Sequence, residues 1–111
     1  MKKFSLKKNE IIRGKKKFNQ IFSQGKKIKG NYIKAYFLEA SELKVGFAVG
    51  KKIGKAHLRN KLKRWLREVY RYEKSGIKNK EIIFTIINYD GNCNFWTLRE
   101  DMLEILRVLK L

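Results

Sequence analysis

The sequence predicts one α+β sandwich with the element order α-β-β-α-β-α. Three observations carry that prediction. First, apolar residues recur at helical spacing in three places: Phe18, Ile21 and Phe22; Leu58, Leu62, Leu66 and Val69; and Leu98, Met102, Ile105 and Leu109. Second, two segments alternate apolar and polar residues, and a third, EIIFTIIN from Glu81 to Asn88, is almost continuously apolar. Third, the chain has 111 residues, no Pro, no repeat and no low-complexity linker. That is room for one core, so residues 1–111 read as a single domain.

Residues 1–13 form a basic arm without regular pattern, from which Phe4 and Leu6 pack down. A helix follows from Gly14 to Gln24, with Gly25 as its C-terminal cap. The first strand spans Asn31 to Glu39. Ile33, Ala35 and Phe37 point to the core, and Tyr32, Lys34 and Tyr36 point the other way. Two aromatics and a cation are unusual for a plain solvent face. Ala40-Ser41-Glu42 supplies a hairpin turn into a second strand, Leu43 to Gly50. Its outward residues are Lys44, Gly46, Ala48 and Gly50; three of the four are small, which opens the backbone to close approach. A Gly-containing loop, Lys51 to Lys55, feeds a second helix that runs to about Tyr72. After the loop Ser75 to Lys80, the strand from Glu81 to Asn88 is apolar enough to be central. Asp90 to Cys93 turns the chain. Asn94 is the N-cap of a last helix through Leu109, with Phe95, Leu98, Met102, Ile105, Leu106 and Leu109 as its buried stripe.

The charge is large and unevenly spread. The net charge is +18, from 28 basic and 10 acidic residues. Residues 1–30 carry 11 basic and 1 acidic, residues 31–50 carry 2 and 2, residues 51–80 carry 12 and 2, and residues 81–111 carry 3 and 5. Two basic blocks flanking a neutral segment argue for a folded binder of polyanions and against a uniformly cationic membrane peptide. No apolar run approaches the about 20 residues of a membrane span. The start, MKKFSLKKNE, lacks the hydrophobic core of a secretion signal. Cys93 is the only cysteine, so no disulfide or thiolate cluster forms. These features fit a reducing cytoplasm.

The second helix holds the sharpest signal. At 100° per residue, Arg59, Asn60, Lys63, Arg64, Arg67 and Arg71 fall within an arc of about 140°. Leu58, Leu62, Trp65, Leu66 and Val69 lie opposite. The chain has 21 Lys and 7 Arg, and four of the seven Arg are in this helix. Lysine supplies diffuse charge, whereas the planar guanidinium matches phosphate oxygens bidentately and stacks on bases. Acidic residues nearby are too few to neutralise the row, so its counter-charge is expected from a polyanionic ligand.

These residues carry a resemblance. The run Gly46-Phe47-Ala48-Val49-Gly50-Lys51-Lys52-Ile53-Gly54-Lys55-Ala56, followed by Arg59-Asn60-Lys61-Leu62-Lys63-Arg64 and Arg67-Glu68, resembles the signature of the bacterial ribonuclease P protein subunit family. The resemblance covers nearly the whole chain, including Phe18 and Phe22 in the first helix and Phe95-Trp96-Thr97 in the last. It implies a fold like the second domain of ribosomal protein S5, with the basic helix in a left-handed crossover between parallel strands. It also implies a large catalytic RNA as partner, precursor tRNA as substrate, and Mg²⁺ held in the RNA active site rather than by protein side chains. Neither a membrane nor an obligate protein partner is expected. On this reading Lys51, Lys52, Lys55, Arg59, Asn60, Lys61, Lys63, Arg64, Arg67 and Arg71 meet the catalytic RNA. Phe18, Phe22, Tyr32, Lys34 and Tyr36 line a cleft for the single-stranded 5′ leader. Two positions depart from the signature: Lys61 stands where a second Arg is usual, and His57 where a small or apolar residue is common.

Aromatic faces beside a positive groove are what single-stranded RNA requires, independently of the resemblance. No catalytic constellation is present: there is one His, and no Ser/His/Asp set or paired carboxylates. Two other classes are weighed. A structural RNA binder such as a small ribosomal protein has the same composition. A DNA-binding module is disfavoured, because the cations cover a whole helix face and suit phosphates better than base edges.

Overall fold

The computed structural model describes residues 6–111. Its elements are α1 (Lys15–Gln24), β1 (Lys26–Lys29), β2 (Ile33–Glu39), β3 (Lys44–Ala48), α2 (Ala56–Glu73), β4 (Lys80–Ile86) and α3 (Phe95–Leu109), with short 3-10 turns at Lys8–Glu10 and Lys51–Ile53. The most apolar strand, β4, lies inside the sheet, whose strand order is β1-β2-β4-β3. It pairs antiparallel with β2 and parallel with β3. The unit β3–α2–β4 is therefore a parallel crossover that carries the basic helix.

This order corrects the hairpin expected at Ala40-Ser41-Glu42. β2 and β3 are consecutive in sequence but not neighbours, because β4 enters between them. The connection instead crosses the start of β4, where the Asn79 side-chain amide donates to the Ser41 carbonyl (2.9 Å). The hairpin in the sheet is β1–β2, and β1 was not anticipated. Its sequence KKIK has one apolar residue and no alternation to reveal it; its strand form comes from pairing with β2, Lys27 opposite Tyr36 and Lys29 opposite Lys34. Gly25 does cap α1, but at φ −72° rather than in the left-handed region. It is glycine because a Cβ would lie 2.5 Å from the Ile21 carbonyl oxygen and 3.1 Å from the Phe37 nitrogen.

Two hydrophobic clusters sandwich the sheet. On one face Ile33, Ala35, Val45, Val49, Ile82, Phe84 and Ile86 pack against Leu62, Leu66, Val69 and Tyr70 of α2 and Leu98, Met102, Ile105, Leu106 and Leu109 of α3. On the other face α1 buries Ile21 against Ile12 and Ile83, with Phe18, Phe22, Tyr36, Leu38 and Ala48 around them. The described part of the N-terminal arm is more ordered than its composition predicts. Leu6 packs on the main core, whereas Phe4 lies outside the described residues. The Ile12 N–H donates to the Val45 carbonyl (2.8 Å), and Ile11 makes a parallel bridge to Val45, so the arm lies along the outer edge of β3. Glu10 fastens it, accepting from the Lys7 N–H (2.9 Å) and pairing with the Lys74 ammonium (3.1 Å). Burial alone would raise the Glu10 carboxyl, but these donors outweigh it and hold the group below its ordinary value.

Asn94 caps α3 as expected: its side chain accepts from the Trp96 and Thr97 N–H groups, and Thr97 returns a bond to the Asn94 N–H. The stripe of α3 also contains a residue that the apolar pattern passes over. Asp101 is buried, and its carboxylate accepts from three consecutive backbone N–H groups, those of Asn31 (2.8 Å), Tyr32 (2.9 Å) and Ile33 (2.8 Å). Gly30 leaves room for it, since a Cβ there would lie 2.4 Å from a carboxylate oxygen. The start of β2 is thus fixed by the far end of the sequence.

Candidate nucleic-acid interface

Sheet register builds the first part of the site. Cross-strand partners share a face, so Lys29, Lys34, Thr85 and Ala48 form one rung, and Lys27, Tyr36, Ile83 and Gly46 form the next. α1 covers the second rung. A Cβ on Gly46 would lie 2.7 Å from Phe18 Cζ, so the open backbone expected at this strand is where the Phe18 ring rests. Phe22 meets Phe18 at a centroid separation of 6.3 Å and Tyr36 at 4.8 Å, the latter edge to face. The Lys34 ammonium stands 5.1 Å from the Tyr36 ring centroid. All four side chains are half-buried. The result is an aromatic ridge with a cation on it, along a strip of sheet that α1 leaves uncovered. Beyond Ala48 that strip runs into Gly50 and the exposed Lys51 and Lys52.

The structure brings together Phe18, Phe22, Lys34 and Tyr36 but sets Tyr32 elsewhere. Tyr32 precedes β2 in a bend, so the strand alternation does not reach it. It packs on the α2/α3 side, and its hydroxyl donates to Asp90 (3.2 Å). Conversely, β1 adds two exposed cations to the α1 face, Lys27 and Lys29, that no sequence pattern marked.

α2 presents the second part on the opposite side of the sheet. Leu62, Leu66, Val69 and Tyr70 are buried, while Asn60, Arg64 and Arg67 are exposed. Leu58 and Trp65, expected among the buried set, are only half-buried at its margin. The row is not uniform along its length. Arg59 is half-buried, its Nε donating to the Gly54 carbonyl (3.1 Å), which ties the loop to the helix. Arg71 is bound by Glu68 (2.7 Å), so the C-terminal end of the row is partly neutralised from within, contrary to the one-signed face expected. Lys63, Arg64 and Arg67 make no ion pair among the described residues. Arg67 lies 5.9 Å from the Phe47 ring centroid. Lys61, the departure from the usual Arg, places its ammonium 5.1 Å from the Trp65 ring centroid. With Lys51, Lys52 and Lys55 exposed at the helix entry, the charge suits a backbone of phosphates.

His57 is exposed in the first turn of α2. Cys93 is buried, and burial, aided by Asp90 and Asp101, pushes its thiol up to about 11, far from nucleophilic use. No helix among the described residues is long and apolar enough to cross a membrane.

Comparison with known proteins identifies the family. Residues 6–110 match the family model described as Ribonuclease P. The chain is 36% identical to the ribonuclease P protein component of Thermotoga maritima, over 93% of this chain and 94% of the relative. It is 30% identical to that of Syntrophomonas wolfei, over 92% and 88%. Among solved structures it resembles the Staphylococcus aureus RNase P protein (TM-score 0.81, 26% identity, 91% and 95% covered). It also resembles the T. maritima RNase P protein (TM-score 0.74, 33% identity, 91% and 96% covered). From signature, fold and relatives together, this chain belongs to the ribonuclease P protein family.

Proposed function

We propose that this chain is the protein subunit of a ribonucleoprotein that removes the 5′ leader of precursor tRNA. α2 and its entry loop dock the catalytic RNA, and the strip between α1 and the sheet holds the single-stranded leader. The reading assigns bond cleavage and Mg²⁺ to the RNA. The observation that carries it is the half-exposed Phe22–Tyr36–Lys34 array. A single strand needs stacking surface and positive charge together, and this array supplies both.

The test is Tyr36→Ala in the assembled holoenzyme, comparing Kd for precursor tRNA with and without several leader nucleotides. Stacking is worth about 1–3 kcal/mol per base, so leader-dependent affinity should fall at least about fivefold while mature tRNA binding is unchanged. Equal weakening of both substrates defeats the cleft assignment. Arg67→Ala should instead weaken binding to the catalytic RNA and flatten the dependence of log K on log salt by about one phosphate. An unchanged slope removes Arg67 from the docking face.

A further inference from the structure

Trp96 is 68% exposed. A tryptophan usually buries most of its large apolar surface, and this one gives most of that up. It is not isolated. Phe95 contacts it at 5.1 Å between centroids with the planes at 87°, and Phe95 in turn meets Trp65 of α2 at 6.1 Å and 84°. The Lys61 ammonium sits 5.1 Å from the Trp65 centroid. The chain's two tryptophans thus share one aromatic ledge, which spans the first turn of α3 and the flank of α2. Lys61 and Trp65 lie on one i,i+4 stripe next to exposed Arg64, so the ledge continues the basic row rather than standing apart from it. It lies on the α2/α3 side of the sheet, away from Phe22 and Tyr36.

We propose that Trp96, held by Phe95, which in turn rests on Trp65, is a stacking platform for an unpaired base of the RNA docked on α2. The inference rests on the RNA partner argued above and adds a site to it. The chemistry is specific to such a base. The ledge offers an open π-face at Trp96, and Lys61 at its Trp65 end joins it to the cations of α2. A second copy of this chain fits poorly: two chains of +18 repel, and one indole is far short of the roughly 800 Å² per partner that a stable interface buries.

The experiment uses the full chain with the catalytic RNA of ribonuclease P as probe. In a Trp65→Phe background Trp96 is the only indole, so its emission reports the site directly. RNA binding should quench it. In the wild-type chain, Trp96→Ala should weaken RNA binding about 5- to 20-fold, within the range of one stacked base. Trp96→Phe should recover most of that loss. The salt slope should stay that of wild type, because no phosphate contact is removed. Circular dichroism and the melting temperature of each variant should match wild type, since the ring is exposed. Full-affinity binding without quenching, and without an effect of Trp96→Ala, overturns the platform and leaves the RNA partner standing. Absence of any RNA binding by the wild-type chain overturns both. A concentration-dependent dimer abolished by Trp96→Ala assigns the ledge to self-association and also overturns the proposal.

Discussion

Replacing Asp101 tests how the sheet is held in register. Its carboxylate accepts three backbone N–H groups, two partly buried and one, from Ile33, fully buried. Hydrogen bonds to a charged group contribute about 1.5–3 kcal/mol each, and an orphaned buried N–H costs about 1–3 kcal/mol. The solvent-open hollow of about 550 Å³ beside Asn31, Tyr32 and Asp101 lets water replace part of this at the two outer groups. Ile33 has no such access. Asp101→Ala should therefore destabilise the protein by about 2–4 kcal/mol, lowering the melting temperature by roughly 10–15 °C for a domain of this size. Asp101→Asn keeps the shape but loses the charge and turns an N–H₂ toward a donor, at a cost of about 1–2 kcal/mol. Urea unfolding with an unchanged m-value reads the stability. Hydrogen exchange at the Ile33 amide reads the local opening. A loss below about 0.5 kcal/mol for Asp101→Ala, with Ile33 still protected, would refute the argument that this carboxylate anchors β2.

Gly46→Ala should drive the Phe18 ring outward, because the new Cβ would stand 2.7 Å from its tip. Phe18 is half-buried and can yield, so stability should fall by no more than about 1–2 kcal/mol while leader-dependent binding drops; retention of both leader affinity and the Phe18 position would be contrary. Cys93 should react with thiol reagents at pH 8 at least about tenfold more slowly in the folded protein than in urea, as its thiol is pushed up to about 11 and the scarcer thiolate outweighs its greater nucleophilicity. A raised thiol pKa adds stability that is complete below the ordinary thiol value and lost as pH rises from there toward 11. Cys93→Ser should remove that part of the alkaline slope, and an identical pH profile would contradict the linkage.

Helices were legible because their signals are local. Asn94 as a cap and the stripe from Leu98 to Leu109 need only neighbours in sequence, and both stand in the structure. The same holds for β4, whose continuous apolar run marks a strand covered on both faces. What was illegible depends on distant partners. Nothing in KKIK announces β1, and nothing in Ala40-Ser41-Glu42 shows that β4 will enter beside it. Tyr32 was misplaced because the strand was begun at Asn31, two residues before its true start at Ile33. Asp101 did leave a trace: a carboxylate between Leu98 and Ile105 on a buried stripe needs a donor set. The α2 row was read correctly in direction, but Glu68 binding Arg71 was overlooked because an acid one turn from a basic face was counted as scarcity rather than as a partner.

The late entry of β4 has a consequence for how the chain is made. The strands that flank it, β2 and β3, emerge from synthesis first, yet neither has the other as a partner. Both keep an open edge until residues 80–86 arrive to zip them together. Until then the nascent chain carries α2 with an apolar side that has nowhere to close and a cationic side already complete. Pairings of long sequence separation make such a domain slow to nucleate compared with a helical bundle. The order of synthesis therefore puts the charge of α2 on display before its packing is complete.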